Sequence, residues 1–261
     1  MKYLGVAAIV AAALIPNGAA AGGNPAAAPA ASPAAALGVS PLRLELKGAS
    51  AAAITVRNPG ARPLVVSVTR AGFARTLHGK PRIEAARGAA GWLRVRPSRL
   101  RLAPHATGSF RLSAKPPATA RPGDHPALVL LQTRPPADKK VHVLLRVGVV
   151  VLVRVPGTIV HRLVPQALSV RRDGKTRLFS LRLANRGNVA ERLGGTRIEL
   201  VLSQNGRRFA TLRTRRFDLL PHSAGIAQFA YGGSARGPVV AQVAFRPLSL
   251  GRSRAFPVTL P

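Results

Sequence analysis

Short apolar runs that alternate with polar residues, each closed by a turn signal, constrain this chain more than any other feature. Residues 42–47 read Leu-Arg-Leu-Glu-Leu-Lys, so every second side chain is apolar. That period of two puts one face of an extended strand in a core and the other in solvent. The pattern recurs at 52–57 and 64–70 around Asn58-Pro59-Gly60, then through Leu93, Val95, Leu100, Leu102, Phe110 and Leu112. Pro122-Gly123-Asp124 leads into an apolar run at 127–131, and Pro135-Pro136-Ala137-Asp138 follows it. No segment carries a capped 3.6-residue pattern, so helices are expected to be few.

The most apolar stretch after the N-terminus is VHVLLRVGVVVLVRVPG, at 141–157. It is shorter than the roughly 20 residues needed to span a bilayer, carries Arg146 and Arg154, and is too β-branched to prefer helix. Every odd position from 141 to 155 is Val or Leu, while the even ones are His142, Leu144, Arg146, Gly148, Val150, Leu152 and Arg154. This reads as a long antiparallel strand, bent at Gly148, that closes a domain with its odd face in the core. Leu144, Val150 and Leu152 then need a cover, either a partner or the rest of the protein.

After Gly157 the same grammar restarts. Asp173-Gly174 and Asn205-Gly206 each sit between alternating runs and predict two hairpins, and further strands are expected at 226–231, 239–245 and 255–260. The halves echo each other: AITVRNPG matches FSLRLANRGN, and LRLAPHATGSFRL matches FDLLPHSAGIAQF. The expected fold is all-β, with two immunoglobulin-like antiparallel β-sandwich domains in tandem at 37–156 and 157–261.

Residues 1–21 read as a signal peptide: a positive start at Lys2, an apolar core of about a dozen residues, and Ala19-Ala20-Ala21 as the cleavage pattern. Residues 22–36 form a Pro/Ala-rich linker. Export to the periplasm, cell envelope or medium is expected, with no transmembrane segment in the mature chain. The chain has no cysteine, which excludes disulfides and a lipid-anchored lipoprotein. Stability must come from packed cores.

There are 40 Lys and Arg against 8 Asp and Glu, a net charge of +32. Such a field attracts polyanions. The basic residues are spread through the strands, so the excess reads first as compositional bias toward arginine. Specific nucleic-acid recognition is not expected, because one Trp, two Tyr and eight Phe, mostly in core-like positions, leave no stacking platform. The six histidines show no metal-ligand spacing, and Asp124, Asp138 and Asp173 sit in turns beside Gly or Pro. With no nucleophile elbow and no phosphate-cradling loop, the chain reads as a non-enzyme with no catalytic, cofactor or metal site.

The succession VSPLRLEL, ITVRNPG, WLRVRPSRLRLAPHATGSFRL, ALVLLQTRPP and VHVLLRVGVVVLVRVPG resembles the N-terminal domain of periplasmic pilus-assembly chaperones. It is also similar to immunoglobulin-like domains of Gram-positive surface proteins that contact peptidoglycan and partner proteins. The second half resembles generic immunoglobulin-like modules with an Asn-x-Gly-Asn turn, here Asn185 to Asn188. Pilus chaperones hold a subunit's terminal carboxylate with an Arg on the first strand and a Lys on the last strand of domain one. The resemblance places Arg43 at the Arg position. The Lys position falls in Val149-Val150-Val151, and Arg154 lies several residues late, so the cationic pair is incomplete.

Two functions follow as expectations. The first is a non-catalytic binding or structural module of the envelope that contacts a surface protein or an anionic cell-wall polymer. The alternative is a chaperone-like protein that acts by β-strand donation in surface-fibre assembly. The candidate partner-binding residues are Arg43, Leu144, Val150, Leu152 and Arg154.

Overall fold

The computed structural model describes residues 36–134 and 144–261. The expected signal peptide, nearly all of the linker, the turn at 135–138 and His142 lie outside these residues. The first half runs β1 (Gly38–Ser40), β2 (Arg43–Lys47), β3 (Ala51–Arg57), β4 (Leu64–Arg75) and β5 (Pro81–Glu84). A one-turn helix α1 (Ala89–Trp92) precedes β6 (Leu93–Arg96), β7 (Arg99–Leu102), β8 (Thr107–Ala114), β9 (Gly123–Arg134) and β10 (Arg146–Val155). One sheet has the order β1-β3-β8-β6; the other is β2-β10-β9-β4-β5, with β7 also on β4. Ile54, Leu93, Phe110, Leu112, Leu131, Val149, Val151 and Val153 fill the space between them and are fully buried. The odd face of β10 is core, as its alternation requires.

The second half runs β11 (Leu163–Asp173), β12 (Thr176–Asn185), β13 (Glu191–Leu193), β14 (Ile198–Gln204) and β15 (Arg207–Arg213). It continues with β16 (Phe217–Leu219), β17 (Ala224–Tyr231), β18 (Gly237–Phe245) and β19 (Arg254–Leu260). Sheets β11-β12-β17 and β15-β14-β18-β19 enclose Phe179, Leu181, Leu200, Phe229 and Phe245, and β13 pairs with β16 as a separate ribbon. The chain is all-β, two sandwiches in tandem.

Three details differ from the sequence reading. The pairing of β10 with β2 is parallel, although its pairing with β9 is antiparallel. The β11–β12 hairpin turns on Gly174-Lys175, one residue later than expected, because Asp173 already pairs with Thr176. The β14–β15 hairpin does turn on Asn205-Gly206, where both residues take the positive φ that a type I′ turn demands. β10 also keeps continuous register with β9 through Gly148, paired with Leu130, so no break falls at the expected bend.

The echo between the halves is a repeated buried staple. Asn58, 2% exposed, donates to the carbonyls of Arg62 and Ala103 and accepts from the Gly60 amide. Asn185, 1% exposed, donates to the carbonyls of Val189, Leu219 and Leu220 and accepts from the Gly187 amide. A side-chain amide offers both donors and an acceptor, so one residue satisfies the backbone of two turns at once. His105 and His222, one after each Pro in the matching turns, both adopt positive φ.

Candidate functional site

The even face of β10 meets the second sandwich. Leu152, 2% exposed, joins Ala71, Phe73, Leu128 and Leu130 of the first half and Leu220 of the second in one apolar cluster, with Val150 and Ala190 at its margin. Burying a leucine of this kind stabilises by about 2 kcal/mol. Arg154 closes the end of the cluster with two bonds to Asp124, Nε to Oδ1 at 2.6 Å and Nη2 to Oδ2 at 2.8 Å. The amide of Ala190 donates to the same carboxylate at 2.8 Å. Hydrogen bonding to Asp124 raises the Arg154 pKa above its ordinary value, against the partial burial that lowers it. The sequence reading of Asp124 as a turn residue is therefore corrected: it is a buried acceptor on β9 that ties the two halves together.

Asn188 reinforces this seam. Its side chain donates to the carbonyls of Pro122 and Thr158 and accepts from the Val160 amide, while its own carbonyl takes the Asp124 amide at 2.7 Å. The close approach requires Gly123: a Cβ there would stand 2.3 Å from the Asn188 carbonyl oxygen, at φ 120°.

Arg43 lies at the other side of the seam. Its Nη1 donates to Asp218 Oδ2 at 2.5 Å, with Arg75 at 3.8 Å and Arg192 at 3.5 Å from the same carboxylate. Three guanidinium groups thus share one acid, and the Nε atoms of Arg43 and Arg75 are buried without a hydrogen-bond partner. Asp218, Arg75 and Arg192 were not singled out from the sequence. Asp218 lies 175 residues from Arg43, and no local pattern signals such a pair.

The other end of β10 is different. β2 pairs with β10 only from Val150 to Arg154, and the Val150 amide bonds to the Leu42 carbonyl. From Arg146 to Val149 one edge pairs with β9 and the opposite edge meets no strand among the described residues. Strand alternation turns the amides and carbonyls of Arg146 and Gly148 toward that open side. Two exposed leucines flank it, Leu144 at 48% and Leu42 at 50%.

The five candidate residues therefore divide. Arg43, Val150, Leu152 and Arg154 are engaged in the seam, and Leu144 stands beside an unpaired strand edge. No protein-family model matches the chain, and no curated protein matches it. The chain is similar to solved fimbrial chaperones and chaperone–subunit complexes. One is a chain of the chaperone–tip adhesin complex of CFA/I fimbriae biogenesis, at 12% identity over 85% of this chain and 98% of that one, TM-score 0.49. Another is the E. coli chaperone DraB, at 16% identity over 87% and 99%, TM-score 0.43. A third is from the CsuC–CsuE chaperone–tip adhesion subunit complex of Acinetobacter baumannii, at 15% identity over 87% and 100%, TM-score 0.44.

No helix among the described residues is long and apolar enough to cross a membrane.

Proposed function

We propose that this chain is an exported, non-catalytic binding protein that captures an extended segment of another protein along the free edge of β10. One observation carries the reading: β2 stops at the Val150 pair, and among the described residues no strand pairs with the Arg146 and Gly148 backbone groups on that side. An added strand would satisfy those groups and continue the sheet in line with β2. Leu144 and Leu42 would supply apolar contact at its margins. The partner is an alternating apolar segment that lacks a neighbour of its own, as in strand donation between a chaperone and a fibre subunit.

The test is site-specific photo-cross-linking from position 144 in an exporting cell, with position 242 on the far sandwich as control. Cross-links to one partner are expected from 144 and not from 242. Gly148→Pro, which removes an edge amide, and Leu42→Arg, which sets a charge at the margin of the edge, should each abolish them. Capture that survives both changes would sink the proposal.

A further inference from the structure

The acidic residues of the described chain are all spent on ion pairs away from the sheet formed by β1, β3, β8 and β6. The strands of this sheet hold no acid, yet carry Arg57, Arg94, Arg96 and Arg111, each exposed and none in a salt bridge among the described residues. Arg94 and Arg96 project from the same side of β6, about 7 Å apart. Arg96 lies directly opposite Arg111 in the β6–β8 register. Like charges in that position destabilise a sheet, and among the described residues no acid on this face offsets them. The rest of the outward face is alanine, serine and threonine, so the guanidinium groups stand clear of their surroundings.

At the β6 edge the arrangement becomes a hollow of about 280 Å³, lined by Arg70, Arg94, Arg96 and Ser98 over Val68 and Val95. Arg70 reaches into it from β4 of the opposite sheet and donates to the Leu93 carbonyl, which fixes its guanidinium at the mouth.

We propose that this face binds a phosphate polymer without bases, with one phosphate seated in the Arg70–Arg94–Arg96 hollow and the chain running across Arg111. Guanidinium forks pair with phosphate oxygens two at a time, and a polymer would neutralise the Arg96–Arg111 repulsion as it binds. A nucleic acid is the poorer fit, because the face holds no aromatic side chain on which a base could stack. The face belongs to the sheet opposite β10, so this binding is independent of strand capture.

The experiment compares the intact chain with Arg94→Ser/Arg96→Ser/Arg111→Ser and with Arg172→Ser/Arg207→Ser/Arg252→Ser, a control that removes equal charge from exposed positions elsewhere. Probes are long-chain inorganic polyphosphate, poly(glycerol phosphate) and a single-stranded oligonucleotide, each titrated across a salt series. The first variant should lose about tenfold or more in affinity for the first two probes, and the slope of log K against log salt should fall by about 2. The control should lose less than about threefold. Without ligand, the first variant should melt no lower than the parent, whereas the rise in melting temperature caused by polyphosphate should vanish. Preference between the two phosphate probes distinguishes the source of the polymer. Equal losses in both variants, no binding at low salt, or tighter binding of the oligonucleotide through the same arginines would each overturn the proposal.

Discussion

From Val150 to Arg154, β10 is held from every side: β9 and β2 on its edges, one sandwich core beneath its odd face and the second sandwich over its even face. From Arg146 to Val149 it is held by β9 on one edge, and its even face is exposed. Val occupies every odd position at both ends, so the core face reads alike along the strand. What separates them is where β2 begins and where the second sandwich lies. Stability belongs to one end, and the proposed binding to the other.

The sharpest way to break this contrast is to place the same charge at both ends. Leu152→Arg would drive a guanidinium into the cluster with Leu128, Leu130 and Leu220, and should cost about 4 kcal/mol or more. Leu144→Arg should change unfolding free energy by no more than about 0.5 kcal/mol. Urea unfolding of the two variants measures the difference, and equal costs would refute the division of the strand.

Asp124→Asn comes next, at about 3 kcal/mol, because it weakens both bonds from Arg154 and leaves that guanidinium without its counter-charge in the seam. The same urea titration checks it. Asp218→Asn should be milder, about 1–2 kcal/mol, since the carboxylate is partly exposed and its partners remain solvated in part. Its cost should shrink as salt rises, which that of a purely apolar loss would not. The smallest effect needs no substitution. Amide exchange at Arg146 and Gly148 should be markedly faster than at Val150 and Leu152, read by NMR on the free chain. Slowing at the first two alone, on adding a captured segment, would sharpen the assignment of the edge.

Much of the fold was legible. The alternation at Val149, Val151 and Val153 predicts a core face, and these residues are fully buried. The Asn58 and Asn185 turns were visible as an echo, although the staple they form depends on carbonyls as far as 45 residues away. The site was legible only in part. Leu144, Val150 and Leu152 look alike in the sequence, yet one is exposed and one is buried against Leu220. Asp124 reads as a turn residue because Gly123 precedes it, and its role appears only when Ala190 and Arg154 converge on it. The arginines also look evenly scattered along the chain. Folding sorts them, since alternating positions on neighbouring strands come to lie on one face.

By itself, the sequence determined which residues of β10 face the core, where the β14–β15 hairpin turns, to within one residue where the β11–β12 hairpin turns, and that two similar units follow one another. These are properties of neighbouring residues, governed by the period of two and by the backbone demands of Asn and Gly. Only the tertiary structure decided that β2 covers half of β10, that Asp218 gathers Arg43, Arg75 and Arg192, and that Arg96 stands opposite Arg111. Those outcomes depend on register and packing between segments far apart in the chain, and register is fixed by the whole sandwich rather than by any one strand.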